Sequence, residues 1–214
     1  MMGLIQKNLL AGHFNTFTII FIMILATVAG FIMRAPAIHS MAAFAIGGAF
    51  ATNFMGHFHR KNDANWQQLE TTMPIKLVFI ELGRYISFLI VLALIVLTTA
   101  IYTLTNYLSG VLDYSYVAVS TFVNSLELAC GFFLMLAAIQ FPALRLFSAK
   151  NSIAVAYGCF VGTLGIFFAA MQIGARLPQS LQDLGQWPFT TAAFLLFVLS
   201  FFLSVRLYRR RCSV

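Results

Sequence analysis

Glu127 is an acidic residue within a long apolar stretch of this 214-residue chain, and Asn124 and Ser125 lie beside it. A carboxyl group in an apolar medium is costly, and by default it indicates a functional site. At the helical rise of about 1.5 Å per residue, Glu127 is expected about 15 Å from the outer end of its stretch. Two interpretations stay open: the carboxyl group joins two helices by hydrogen bonds, or it contacts a cationic substrate or takes up a proton.

The other residues able to do chemistry favour neither a metal site nor an enzyme. His57, His59 and Asp63 are close in sequence, but residues two apart on a helix do not face each other. The chain lacks both the phosphate-binding pattern G-x-x-x-x-G-K-[ST] and the zinc pattern H-E-x-x-H. An intramembrane protease would need a second acid or a histidine pair at the depth of Glu127. We therefore expect no catalytic residue, no metal and no cofactor in this chain.

The composition is that of an integral membrane protein. Hydrophobic residues make up 61% of the chain and charged residues 9%, whereas a soluble domain has about 25% charged residues. The net charge is +7, but the basic residues lie in short clusters between apolar runs, which suits orientation in a membrane better than binding of nucleic acid. The three cysteines have no paired spacing, so no disulfide framework is expected.

Six apolar stretches are long enough to cross a hydrocarbon layer of about 30 Å as helices. They are continuous rather than alternating, which favours helices over the strands of a barrel. The sequence thus predicts an all-α polytopic membrane protein with a single transmembrane domain over residues 1–214. Its six transmembrane helices are expected near residues 14–33, 37–56, 86–107, 117–139, 153–173 and 188–205.

The segment before the first span sets Leu4, Ile5, Leu9 and Leu10 against polar neighbours. This pattern predicts a short interfacial elbow helix, although the segment could also be the start of the first span. Lys and Arg concentrate on the side of the membrane that holds this segment, and the opposite side has Arg34 and Arg176. Cytoplasmic loops gather positive charge, so both termini are expected in the cytoplasm.

Two of the predicted spans are rich in small residues, which let helix backbones approach closely in lipid. We expect these two spans, the second and the fifth, to form the inner seam of the bundle or of a dimer, or to line a conduit. An alternative is that glycine is merely common in membrane helices. The residues concerned are Gly47, Gly48, Gly158, Gly162 and Gly165.

The longest predicted cytoplasmic connection, residues 57–84, is conspicuously polar. Asn62 or Asp63 can cap a helix on which Trp66, Leu69 and Met73 share one face. A helix this short is not stable alone in water and needs a surface to dock on. That surface is either the membrane, with Trp66 as an interfacial anchor, or a soluble partner protein.

Pro74 disfavours helix at the residue before it and suits the first turn of a new helix. Thr72 can cap that second helix, which is predicted to carry Lys76, Glu81 and Arg84 at the membrane interface and to run on into the third span.

The polar connection has the pattern D-x-x-W-x-x-L-x-T-x-P-I, followed by a basic residue and later by G-R-Y. With it, the chain resembles the small permease subunits of type-2 ABC exporters, and among them the permeases of phenol-soluble modulin exporters of Gram-positive bacteria. The pattern consists of Asp63, Trp66, Leu69, Thr71 or Thr72, Pro74, Ile75, Lys76, Gly83, Arg84 and Tyr85.

The resemblance implies that the connection holds a coupling helix, which seats on a separate ABC ATPase that binds ATP and Mg. The second inner loop, residues 141–152, would be a minor contact. The implied coupling residues are Asp63, Trp66, Leu69, Glu70, Thr72, Met73, Pro74, Ile75 and Lys76.

By the same resemblance, two permease subunits, identical or related, would export amphipathic peptides or other hydrophobic cargo across a bacterial cell membrane. The alternative from another class is a membrane scaffold or immunity module without a transport role.

Overall fold

The computed structural model is helical, with no strand among the residues it describes. These residues are 5–6, 21, 24–25, 28, 44, 47–48, 76–108, 116–147, 152–174, 176 and 187–212. The predicted elbow helix, the first two spans and the coupling residues Asp63 to Ile75 fall almost wholly outside this part of the chain. The positions described there, among them Ile5 and Phe44, are helical.

Four long helices make up the described bundle: α1 (Leu77–Leu108), α2 (Tyr116–Leu146), α3 (Ser152–Gly174) and α4 (Trp187–Cys212). Each contains a stretch long and apolar enough to cross a membrane. They correspond to the third to sixth predicted spans. Pro188 occupies the first turn of α4, where the N–H that proline lacks would have no helical partner.

Of two helix boundaries at the same end of the bundle, one agrees with the sequence prediction and one differs from it. α1 begins at Leu77 and runs to Leu108, as predicted for a helix after Pro74 that continues into the third span. α2 passes through Pro142 and ends at Leu146, although a loop was expected from residue 141. Proline removes one helical hydrogen bond, and burial of Phe141 together with an ion pair of Arg145 to α1 stabilises this last turn.

α2 lies at the centre of the described bundle and packs on the other three helices, most extensively on α4. In its middle turns, from Ala129 to Ala138, all residues are buried except Cys130, which is half-buried. Aromatic rings fill the spaces around it; Phe132, for example, meets Phe44 and Phe167 edge to face. Packing of this kind, rather than a hydrophobic driving force, holds helices together in lipid.

Contacts of Arg145 with Glu81 and with Tyr208 place the start of α1 beside the ends of α2 and α4. We call this the basic end, because its described cations are Lys76, Arg84, Arg145, Arg206, Arg209, Arg210 and Arg211. We call the opposite end, where α2 and α4 begin, the far end.

Candidate functional site

A buried ionic cluster joins two helices at the basic end. Arg145, near the end of α2, donates from Nη2 to Oε1 of Glu81 on α1. Arg84, one turn along α1, donates from Nη1 to the same oxygen at 3.1 Å. The residues are 1% (Glu81), 7% (Arg84) and 8% (Arg145) exposed, so the three charges are withdrawn from water together. A buried charge is tolerated when it is paired and hydrogen-bonded.

Tyr208 brings α4 into this cluster. The Arg145 guanidinium carbon lies 4.0 Å from the centre of the Tyr208 ring, and that of Arg84 lies 6.0 Å from it. A cation over an aromatic face is attracted by the ring quadrupole. Tyr208 also packs against Ile80. The four residues Glu81, Arg84, Arg145 and Tyr208, called the Glu81 cluster below, therefore connect α1, α2 and α4.

A second polar contact between α1 and α4 lies about one turn deeper. The Tyr85 hydroxyl is 2.9 Å from Oγ of Ser200 and 3.1 Å from Oγ of Ser204. All three residues are buried. The Tyr85 ring packs between Phe141 of α2 and Phe197 of α4, with centroids 4.9 Å apart in both cases. The start of α1 is thus held on both neighbours by polar and aromatic contacts.

The cluster lies directly after the segment predicted to contact a partner. Lys76 is exposed and immediately precedes α1, and its carbonyl accepts a hydrogen bond of 2.8 Å from the Phe79 amide. The predicted coupling residues before Lys76 lie outside the described part of the chain. Glu81, one turn after Lys76, is already in the buried cluster.

The sequence predicts that Glu81 and Arg84 lie at the membrane interface, but it does not indicate that Arg145 and Tyr208 contact them. One signal was present, because Glu81 and Arg84 are three residues apart on a helix and so can pair. The partners from α2 and α4 are 64 and 127 positions away in the chain. A local sequence pattern cannot indicate a contact between residues so far apart in the chain.

Glu127, the acidic residue that the sequence singled out, has a different setting at the far end. Its backbone carbonyl accepts a hydrogen bond of 3.3 Å from Oγ1 of Thr190 on α4. Its side-chain Oε1 is buried but has no hydrogen-bond partner among the described residues. Asn124, one turn away, is exposed. The structure therefore does not join Glu127 and Asn124 to the Glu81 cluster.

The predicted packing glycines divide into two groups. A Cβ atom on Gly47 would lie 2.2 Å from Cε2 of Phe133, so this glycine allows a close approach of its helix to α2. A Cβ on Gly48 would meet nothing within 4 Å. The same holds for the glycines of α3, which are exposed: Gly158, Gly162 and Gly165.

Gly131 of α2, which the sequence reasoning did not select, is a second close approach. A Cβ atom there would lie 2.8 Å from Cε1 of Phe189 and 3.1 Å from Oγ1 of Thr190. It lies one turn from Glu127, so the backbones of α2 and α4 are close together where the Glu127 carbonyl meets α4.

The described residues contain no group of three His, Cys, Asp or Glu side chains that could hold a metal ion. A comparison with protein families then decides the class of the chain. The family model for ABC-2 family transporter proteins matches residues 3–209. The chain belongs to the ABC-2 transporter family.

No curated protein and no solved structure matched this ABC-2 family chain. The family match covers all four described helices as well as the segments before them. An ABC-2 permease is a membrane transport subunit, and the family implies both a lipid bilayer and an ABC ATPase partner. In this ABC-2 protein the Glu81 cluster can hold three helix ends as one unit beside the segment that precedes α1.

Proposed function

We propose that this ABC-2 protein is the permease subunit of an ATP-driven exporter that moves amphipathic peptides or other hydrophobic cargo. ATP and Mg bind to a separate ATPase chain, and the permease itself carries no catalytic residue, metal or cofactor. The family match is the observation that carries the proposal. The burial of Glu81 and its two arginines supports it by providing a rigid connection at the basic end.

Coupling begins at the segment from Asp63 to Lys76, whose Trp66 and Leu69 fit a pocket on the ATPase. Aromatic and apolar anchors of this kind contribute most of the binding energy of protein interfaces. Because α1 starts at Leu77, directly after that segment, a displacement of the segment moves the start of α1. The Glu81 cluster then passes the motion to α2 and α4.

The cargo class rests on the likeness of the loop pattern to that of phenol-soluble modulin exporters. The 23 phenylalanines of the chain favour an apolar conduit wall and so an amphipathic or hydrophobic cargo. Two permease subunits, identical or related, enclose the conduit in the cell membrane of a bacterium. The basic end faces the cytoplasm, in accord with the positive-inside rule.

The test is co-reconstitution of the chain with the ABC ATPase that copurifies with it from native membranes. We expect ATP-dependent accumulation of an amphipathic peptide inside inverted vesicles. Trp66→Ala and Leu69→Ala should abolish both copurification and transport, whereas Gln67→Ala on another face should not. A chain that folds but captures no ABC ATPase, or accumulates peptide equally without ATP, would contradict the proposal.

A further inference from the structure

The two described acidic residues, Glu81 and Glu127, differ in the hydrogen-bond donors around their carboxyl groups. Glu81 accepts hydrogen bonds from two arginines. Glu127 forms no ion pair within the described part of the chain, and its buried Oε1 has no donor there. The first interpretation from the sequence, a carboxyl group that joins two helices, therefore has no support in the described contacts. A buried polar atom without a hydrogen-bond partner is costly, so this carboxyl group indicates a ligand or ion site.

The level of Glu127 in the membrane follows from its contact with α4. Thr190, which donates to the Glu127 carbonyl, is about 5 Å from the start of α4 at the helical rise of about 1.5 Å per residue. Trp187 begins α4 and is 70% exposed, and tryptophan is enriched at the membrane–water interface. Glu127 thus lies close to the headgroup level of the far end, although it is about 16 Å from the start of α2.

The exposed side chains around Glu127 include both polar and apolar groups. Asn124 precedes Glu127 by one helical turn and is exposed. Phe194 follows Thr190 by one turn on the same face of α4 and is 48% exposed. Val123, four residues before Glu127, is 52% exposed. A molecule lying along this part of the α2–α4 seam would meet an acidic group, an amide and apolar side chains.

We propose that Glu127, with Asn124, binds the ammonium or guanidinium group of an amphipathic cargo peptide at the far end of the α2–α4 seam. Charge complementarity selects a cationic ligand, because a partly desolvated carboxylate is stabilised by an opposite charge. The exposed apolar side chains Val123 and Phe194 bind the apolar face of the same peptide. This inference rests on the proposed export function and adds that the preferred cargo is cationic.

The site is tested by binding to the permease alone in phosphatidylcholine nanodiscs. The probe is a fluorescent amphipathic peptide of leucine and lysine, and its matched control is the same peptide with acetylated lysines. Binding to empty nanodiscs is subtracted. We expect the cationic peptide to bind at least about tenfold more tightly than the acetylated one. Glu127→Gln should remove that preference, and Glu127→Asp, which keeps the charge, should retain most of it.

Equal binding of the two peptides to the wild type, or a preference that persists in a folded Glu127→Gln variant, would overturn the inference. Nanodiscs that contain phosphatidylethanolamine distinguish the other source of an ammonium group. Loss of peptide binding there, with the preference restored as the lipid is diluted, would assign the site to lipid headgroups and contradict the cargo assignment.

The ATP-dependent transport assay separates this inference from the proposed function. Export that continues with unchanged selectivity in Glu127→Gln would contradict the cationic site alone. Charge-selective binding that is lost in Glu127→Gln, together with no ATP-driven export by the wild type, would contradict the export function alone.

Discussion

Glu81 lies between two guanidinium groups in the protein interior, so its carboxylate offsets the cost of burying both cations. Removal of Glu81 would leave two buried charges uncompensated, whereas removal of Arg145 leaves the Glu81–Arg84 pair. The contact of Arg145 with the Tyr208 ring adds a second interaction that a change at Arg145 would remove.

We expect Arg145→Met to lower the free energy of unfolding by about 1.5–3 kcal/mol, because Glu81 loses its charge-assisted hydrogen bond to α2 but stays paired with Arg84. Arg206→Met is the matched control, since Arg206 is an exposed cation of the same end and surface substitutions usually stay within about 0.5 kcal/mol. Unfolding of both variants in detergent micelles measures the difference. An equal loss of unfolding free energy in the two variants would mean that the Glu81–Arg145 pair contributes nothing to stability.

The Tyr85 hydroxyl gives a second prediction at the residue scale. Tyr85→Phe keeps the ring contacts but leaves Ser200 and Ser204 without this partner, so stability should fall by about 0.5–1.5 kcal/mol. Tyr157→Phe on α3, where the tyrosine is 70% exposed, should change stability little. The same unfolding assay compares them, and a larger loss from Tyr157→Phe would contradict the hydrogen-bonding pattern.

At the scale of elements, the close approach of α2 to α4 depends on Gly131. A methyl group there would lie 2.8 Å from the Phe189 ring, and overpacking of this kind costs about 1–3 kcal/mol. We expect Gly131→Ala to destabilise the protein by that amount, measured by unfolding in micelles. A loss that Phe189→Leu relieves would identify the ring as the cause.

Gly165→Ala on α3 is the matched control for Gly131→Ala. A Cβ at Gly165 meets nothing within 4 Å, and alanine favours helix over glycine by about 1 kcal/mol. The variant should be neutral or slightly more stable as a single subunit. Destabilisation equal to that of Gly131→Ala would contradict the distinction between the two glycines.

At the scale of the whole molecule, orientation follows from the separation of charge between the two ends. In a background without cysteine, Arg209→Cys at the basic end should react with a membrane-impermeant maleimide only in inverted vesicles. Arg176→Cys, on the far side, should react in intact cells. Both arginines are exposed, so accessibility differs only by the side of the membrane. Labelling in the reverse pattern would overturn the cytoplasmic placement of the basic end.

The general architecture could be predicted from the sequence because it depends on local properties. Continuous apolar runs of sufficient length dictate membrane helices wherever they occur, and the predicted third to sixth spans coincide with α1 to α4. The end of α2 could not be predicted in this way. Pro142 is a local signal for a helix end, and the contact of Arg145 with another helix outweighs it.

The sequence by itself determined the membrane class, the helical spans and the asymmetry of charge, because each depends on composition along one continuous segment. Only the tertiary structure decided that Glu81 is a paired interior charge and that Glu127 lies at the start of α4, since both facts depend on residues distant in the chain. Two glutamates of identical intrinsic chemistry thus differ because helix packing brings arginines to one and leaves the buried oxygen of the other without a donor in the described bundle.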